Sequence, residues 1–115
     1  MFKENIWVSS VEIEEIREKV INDKYEVCFH AEKERYDEDI SISDLEAAIS
    51  SGEILEDYAN DPRGPSCLIL GYTHNRSIHI VCGYTEMKWV RIITVYIPKL
   101  PKWANERTRV KGGKE

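Results

Sequence analysis

The side chains best suited to proton transfer are two histidines, and one of them lies in the most hydrophobic part of the chain. His79 begins the stretch HIVCGYTEMKWVRIITVY (residues 79–96), which also contains Thr94 and Tyr96. His30 begins a highly charged segment. Because the pKa of imidazole lies near neutrality, His79 is the best candidate for a general acid or base, and His30 is the second. Thr94 and Tyr96 are the polar groups expected beside His79.

Each of these residues also has a purely structural interpretation. His79 could be a half-buried sheet histidine that is hydrogen-bonded to Thr94, and His30 could cap or anchor a helix through a ring nitrogen. Glu53 and Glu56 could supply a carboxylate base, or they could simply occupy an exposed strand face. The sequence leaves these alternatives open.

Cationic side chains suited to phosphate groups are concentrated in the C-terminal half. The candidates are Arg91, Lys102, Arg107 and Arg109. Trp89 and Tyr96 could stack on a nucleic-acid base. In the structural interpretation, Arg91 extends from the rim of the core and the two aromatic residues are packing groups. The other three cations would then serve solubility or contact with a partner protein.

The charge of the chain is strongly asymmetric. The 115 residues carry a net charge of −5, with 42% hydrophobic and 32% charged residues, as in an ordinary globular domain. Residues 1–61 hold 18 acidic and 6 basic side chains, whereas residues 62–115 hold 3 acidic and 10 basic ones. The acidic total therefore does not exclude a polyanion such as nucleic acid as a partner.

Several functional classes find no support in the sequence. The cysteines are Cys28, Cys67 and Cys82. Their odd number and spacing favour reduced thiols in a cytoplasm. The N-terminus has no signal-peptide pattern and the longest apolar run is too short to span a membrane, so we expect a cytoplasmic protein without a membrane partner. The histidines and cysteines lack metal-ligand spacing, and there is no phosphate-binding glycine loop, so we expect neither a metal nor a cofactor.

The predicted helices come first in the chain. They cover residues 10–22, residues 30–38 and a third segment that ends at Gly52. Capping boxes at Ser9–Glu12 and Ser43–Glu46 mark the beginnings of the first and third helices. Asp39 can take the left-handed conformation that ends the second helix.

The predicted strands follow the helices. They cover residues 53–58, 67–72, 77–85 and 88–97, and residues 25–29 are also extended. Asn75 suits the tight turn between the second and third of these strands. This order predicts one α+β domain over residues 1–103, with the N-terminal helices on one face of an antiparallel sheet of about four strands. Residues 104–115 are predicted to form a basic, mobile tail.

The register of the last two strands sorts their side chains onto two faces. A two-residue turn at residues 86–87 would pair His79 with Thr94 and Ser77 with Tyr96 on one face. The opposite face, which should receive the helices, would carry Ile78, Ile80, Ile93 and Val95. A change of one residue in the turn would exchange these partners.

An ordered set of short segments extends over roughly residues 25–110. These are HAEKERYDEDIS, SGEILEDY, PSCLILGYT, RSIHIVCGY and IITVYIP, followed by Trp103. In their order and spacing they resemble the bacterial domain-of-unknown-function family forty-two fifty-eight. The positions that match the family pattern are His30, Ala31, Gly52, Glu53, Glu56, Tyr58, Cys67, Leu68, Gly71, His79, Thr94, Val95, Tyr96 and Trp103. Two positions depart from it, since Glu34 stands where many members have arginine and Asn75 replaces the usual turn glycine.

The resemblance implies a fold and an activity. The family is grouped with RelE-like toxins of type II toxin–antitoxin systems, within the barnase/RelE class of metal-free ribonucleases. It therefore implies an endoribonuclease that cleaves mRNA, including mRNA on the ribosome, by attack of the RNA 2′-hydroxyl. It also implies a cognate antitoxin of the zinc-finger type. The basic catalytic residues of RelE do not map onto this chain one by one, so the alternative is a non-catalytic module of the same fold that binds RNA or protein.

Overall fold

The computed structural model describes residues 12–111, which form three helices and five strands. In chain order these are α1 (Ile13–Ile21), β1 (Tyr25–Val27), α2 (Phe29–Asp37), α3 (Ile42–Ser51), β2 (Glu53–Tyr58), β3 (Ser66–Thr73), β4 (Arg76–Tyr84) and β5 (Val90–Tyr96). The predicted α+β class is confirmed. The helices precede all strands except β1, which lies between α1 and α2.

The sheet is mixed rather than purely antiparallel. Its strand order is β1-β5-β4-β3-β2, and β1 pairs with β5 in parallel while the other pairs are antiparallel. The prediction of about four antiparallel strands is therefore wrong at one edge. β1 has only three residues, which is too short for an alternating pattern to reveal a strand or its partner.

The helices and one face of the sheet enclose the main core. Its most buried apolar side chains are Ile16, Val20, Ala31, Ile40, Leu45, Ala48, Ile49, Cys67, Ile69, Ile78, Ile80, Cys82, Val90, Ile92 and Val95. α2 differs from the predicted arrangement because it also runs beside the edge of β5. There a carboxylate oxygen of Glu34 accepts a hydrogen bond from the backbone N–H of Val95 at 2.9 Å, in the place of a neighbouring strand.

The helix ends depart from the predicted capping pattern at the beginning of α3. α3 is capped by Ser41, whose hydroxyl accepts from the Asp44 N–H at 2.9 Å while the Asp44 carboxylate accepts from the Ser41 N–H at 3.0 Å. The box predicted at Ser43–Glu46 is therefore wrong by two residues, because aspartate takes the place of the usual glutamate. Most of the box predicted at Ser9–Glu12 lies outside the described residues. Asp39 has a φ of 58°, as predicted.

The register of β4 and β5 differs from the predicted one at two points. The connecting turn is longer than two residues, since the Thr85 N–H bonds the Trp89 carbonyl and β4 pairs Tyr84 with Val90. A bulge then shifts the register between Val81 and Cys82. Beyond the bulge these displacements move the pairing by two residues, an even number, which keeps His79, Thr94 and Tyr96 on their predicted face. Between the turn and the bulge the displacement is one residue, so Arg91 lies opposite Gly83 rather than Cys82 and changes face.

The bulge changes which residues meet across the strands. His79 lies opposite Tyr96 rather than Thr94, and Thr94 lies opposite Val81. The prediction that Ile93 joins the helix-facing side is wrong, because Ile92 takes that place in the core.

Candidate functional site

The candidate site is the face of the sheet opposite the helical core. The register of β2, β3, β4 and β5 arranges its side chains in three rows. The first row is Glu53, Leu70, His79 and Tyr96; the second is Glu56, Leu68, Val81 and Thr94; the third is Tyr58, Ser66, Gly83 and Arg91.

A C-terminal strap, residues 99–111, covers the first row. Trp103 is only 1% exposed, and its ring lies 4.4 Å from the ring of His79 in an edge-to-face arrangement. Trp103 and Arg109 form a β-bridge that folds the strap back on itself. The sequence assigned residues 104–115 to a mobile tail. Within this segment Glu106, Arg107 and Arg109 contact residues of the sheet, and residues 112–115 are outside the described part of the chain.

His79 is fully buried beneath the strap, and both of its ring nitrogens have partners. Nε2 lies 2.7 Å from the carbonyl oxygen of Glu106, which can only accept, so Nε2 carries the proton. Nδ1 then accepts from the Tyr96 hydroxyl at 3.1 Å, and that hydroxyl accepts from the Trp103 indole N–H at 3.1 Å. Burial lowers the pKa of His79, which favours this neutral form. In this arrangement His79 has no free nitrogen for a substrate.

A second cluster joins the strap to β2. Both carboxylate oxygens of Glu56 accept hydrogen bonds from Arg109, at 3.0 Å from Nε and 2.9 Å from Nη2. Glu56 also accepts from the Tyr58 hydroxyl, and the Arg109 guanidinium stacks 4.5 Å above the Trp103 ring. We call Glu56, Tyr58 and Arg109 the carboxylate cluster.

The carboxylate cluster fixes the charge of each of its members. The hydrogen bonds from Arg109 lower the pKa of Glu56, and the same contact raises the pKa of Arg109. Burial and the bond to Glu56 raise the pKa of the Tyr58 hydroxyl. At neutral pH the cluster therefore holds an ionised carboxylate, a charged guanidinium and a protonated phenol. All three residues are at least partly accessible to solvent.

Two further contacts hold the strap at the rim of the sheet. Arg107 forms an ion pair with Glu53, and both side chains are about half exposed. The Glu106 carboxylate accepts hydrogen bonds from the Tyr72 hydroxyl at 2.7 Å and from the Ser77 hydroxyl. Together with the hydrogen bond from Trp103 to Tyr96, these contacts bind the strap to four strands, β2, β3, β4 and β5.

The third row of the face stays open and forms a groove of about 930 Å³ between the β2–β3 loop and the β4–β5 turn. This volume is in the range of ligand-binding clefts. The groove is lined by Tyr58 and Ser66, and its charged side chains are Glu15, Asp61, Arg63, Glu86, Lys88 and Arg91. Tyr58 belongs to both the groove and the carboxylate cluster, so the two are continuous.

A comparison with protein families gives the family of the chain. The model of a domain of unknown function, DUF4258, matches residues 28–97, which is more than half of the sequence. The chain belongs to the DUF4258 family. No curated protein and no solved structure gave a significant match. The DUF4258 segment contains His79, Glu56 and Tyr58 but ends before the strap, so Arg109 lies outside the family match.

The structure brings only some of the predicted catalytic residues of this DUF4258 protein together. His79 and Tyr96 are hydrogen-bonded, and Thr94 lies in the neighbouring row. His30 is on α2 instead, with an exposed side chain whose Nε2 lies 3.2 Å from the second carboxylate oxygen of Glu34. His30 is therefore not part of the His79 network.

The predicted phosphate-binding residues also lie in different parts of the fold. Arg91 lines the groove and lies 3.7 Å from Glu26. Arg107 and Arg109 belong to the strap and are paired with carboxylates. Lys102 is an exposed strap residue. The predicted stacking residue Trp89 is half-buried in the β4–β5 turn.

The sequence reasoning on function missed the pairing of Tyr58 with Glu56 and the groove residues Arg63 and Ser66. The first had a local signal, because residues two apart in a strand share a face. The groove had none, since it depends on how two connections far apart in the chain meet at one end of the sheet.

Two further features of this DUF4258 structure concern metals and membranes. Within residues 12–111, no three His, Cys, Asp or Glu side chains lie together as a possible metal site. The helices of the same region are all too short or too polar to cross a bilayer.

Proposed function

We propose that this DUF4258 protein is a RelE-like toxin of a type II toxin–antitoxin system, which cleaves mRNA without a metal through the RNA 2′-hydroxyl. The observation that carries the proposal is the carboxylate cluster at the wall of the groove. Glu56, Tyr58 and Arg109 provide a base, a proton donor and a cation within hydrogen-bonding distance of one another. These are the groups that this reaction requires.

The proposed reaction assigns a role to each member of the cluster. Glu56 accepts the proton of the 2′-hydroxyl as that oxygen attacks phosphorus, and Arg109 stabilises the negative charge gained by the phosphate oxygens. The bond from phosphorus to the 5′-oxygen breaks, and Tyr58 protonates that oxygen. Tyr58 then recovers its proton from Glu56 through their hydrogen bond. The products are a 2′,3′-cyclic phosphate and a 5′-hydroxyl.

The groove provides the path for the RNA. Proteins bind single-stranded RNA with cationic side chains along its phosphate backbone and with aromatic side chains that stack on its bases. Arg91 and Lys88 serve the phosphates, and Tyr58 connects the groove with the reacting groups. Lys88 belongs to no ion pair among residues 12–111, which leaves it available for phosphate. We propose that the substrate includes mRNA on the ribosome, and that a cognate antitoxin of the zinc-finger type neutralises the toxin.

The second candidate function is a non-catalytic module that binds RNA or protein. It is favoured by the sealed environment of His79 and by the balance of charge in the groove. Arg63 is paired with Asp61 at 3.1 Å, and Arg91 lies near Glu26. A module of this kind would bind without cleaving.

The decisive experiment compares the wild-type chain with Glu56→Gln and Tyr58→Phe. The protein is expressed in a bacterium without its neighbouring gene, and the purified protein is incubated with RNA. We expect arrested growth and fragments with cyclic phosphate ends, and a loss of about 100-fold or more in cleavage rate for Glu56→Gln. Glu18→Gln removes an exposed carboxylate of α1 and serves as the matched control.

A second substrate tests the nucleophile. RNA with a 2′-deoxy substitution at the mapped cleavage position should remain intact at that position. Intact natural RNA together with salt-dependent binding would reject the catalytic proposal in favour of the binding module. Equal cleavage by wild type and Glu56→Gln would remove the carboxylate cluster from the mechanism.

A further inference from the structure

We infer that His79 is a positioning residue, which holds the strap so that Arg109 stands over Glu56. The catalytic consequence of this inference rests on the proposed function, because Arg109 has a role in that reaction. The placement of the strap does not depend on it and can be measured separately.

A continuous chain of contacts leads from His79 to the carboxylate cluster. The His79 ring donates to the Glu106 carbonyl at 2.7 Å and packs at 4.4 Å against Trp103. Trp103 in turn supports the Arg109 guanidinium at 4.5 Å, and Arg109 makes two hydrogen bonds to Glu56. These contacts connect His79 to Glu56 through the strap.

His79 makes a buried contact with the strap, unlike the ion pair and the hydrogen bond at the rim of the sheet. The ion pair of Arg107 with Glu53 is half exposed, and such pairs contribute little because water screens them. The hydrogen bond from Tyr72 to Glu106 is also at the surface, and the one from Ser77 to Glu106 is partly buried. By contrast, the Nε2–H of His79 meets a carbonyl in a site without solvent, where an unpaired polar group is costly.

The geometry requires one donor and one acceptor on the same side chain. The donor faces the Glu106 carbonyl and the acceptor faces the Tyr96 hydroxyl. Glutamine carries an N–H group and a carbonyl oxygen and can supply both, whereas leucine can supply neither. A general acid or base, however, cannot be replaced by glutamine, because an amide does not transfer protons near neutral pH. The two variants therefore separate positioning from catalysis.

The first measurement is strap docking in the full chain, without RNA. The chain is labelled with 5-fluorotryptophan, and the ¹⁹F signal of Trp103 is assigned with Trp103→Phe. We expect His79→Gln to keep the docked chemical shift and His79→Leu to move it toward the solvent-exposed value, while circular dichroism confirms that both variants fold. If His79→Leu does not fold, His79→Met replaces it, because methionine likewise offers no donor to the Glu106 carbonyl and leaves the Trp103 signal in place. A docked strap in the leucine variant would overturn the inference.

The second measurement is RNA cleavage over a range of pH. We expect His79→Gln to keep activity within about 3-fold of wild type with an unchanged pH profile, because positioning survives. His79→Leu and Arg109→Ala should each lose about 100-fold, and the double variant should lose no more than either one. Loss of cleavage in His79→Gln with the strap still docked would make His79 a catalytic residue and overturn the inference. Absence of cleavage by the wild type would reject the proposed function alone, since docking is measured without RNA.

Discussion

Replacement of Trp103 by alanine tests whether the strap belongs to the folded domain. The side chain is 1% exposed and contacts the His79 ring, the Tyr96 hydroxyl and the Arg109 guanidinium. Alanine would leave a cavity over the first row of the open face. It would also leave the Tyr96 hydroxyl without the indole donor.

The expected loss follows from these contacts. Truncation of a buried tryptophan or phenylalanine to alanine costs about 3–5 kcal/mol. The lost hydrogen bond accounts for about 1 kcal/mol and the contact with the half-exposed arginine for about 0.5–1 kcal/mol. We therefore expect a decrease of about 4 kcal/mol in the free energy of unfolding, a large part of the 5–15 kcal/mol typical of a domain.

Urea denaturation followed by circular dichroism measures this decrease. Leu100→Ala is the matched control, because Leu100 lies in the same strap but is 70% exposed, and its truncation should change stability by no more than about 0.5 kcal/mol. A Trp103→Ala variant within about 1 kcal/mol of wild type would refute the buried position of the strap. It would also indicate that residues 104–111 contribute little to the stability of the folded domain.

Three other predictions concern the scaffold. Gly71→Ala should prevent folding or cost more than about 3 kcal/mol, because a Cβ there would lie 1.9 Å from the Ala48 carbonyl oxygen; soluble yield and urea midpoint check this. Ser41→Ala should cost about 1 kcal/mol by urea denaturation and Ser43→Ala almost nothing, and the reverse order would restore the predicted cap. Since Arg109 holds the pKa of Glu56 below its ordinary 4.5, the stability from that contact is complete above that pH and is lost as the pH falls through the folded-state pKa. Glu56→Gln should therefore lose less stability than wild type as the pH falls from 7 to below 4.5, and equal losses would contradict the pairing.

Local sequence patterns predicted the larger elements of the fold well. β2 has the predicted bounds, and β3 differs by one residue at each end, because alternation and apolar runs are strong signals. The predicted register of β4 and β5 was wrong because the register depends on a turn and a bulge that no periodic pattern encodes. Even so, His79, Thr94 and Tyr96 stayed on the predicted face, since the two errors added to an even number.

The candidate site was less accessible to such reasoning. Trp103 and Arg109 lie in a stretch rich in prolines and basic residues, which locally resembles a tail. Its docking depends on a ring on β4 and a carboxylate on β2, which are far away in the sequence. Only the tertiary structure shows that Arg109 meets Glu56.

Glu34 lies beside the edge of β5 and satisfies one of its backbone N–H groups. An uncovered strand edge is a template for pairing with another chain, and natural proteins block such edges. Here the Glu34 carboxylate accepts a hydrogen bond from the Val95 N–H, at a point on β5 just beyond the end of its pairing with β1. Arginine has no acceptor atom and could not make this bond. In this chain Glu34 therefore satisfies a backbone N–H of β5 that would otherwise be open to pairing with another strand.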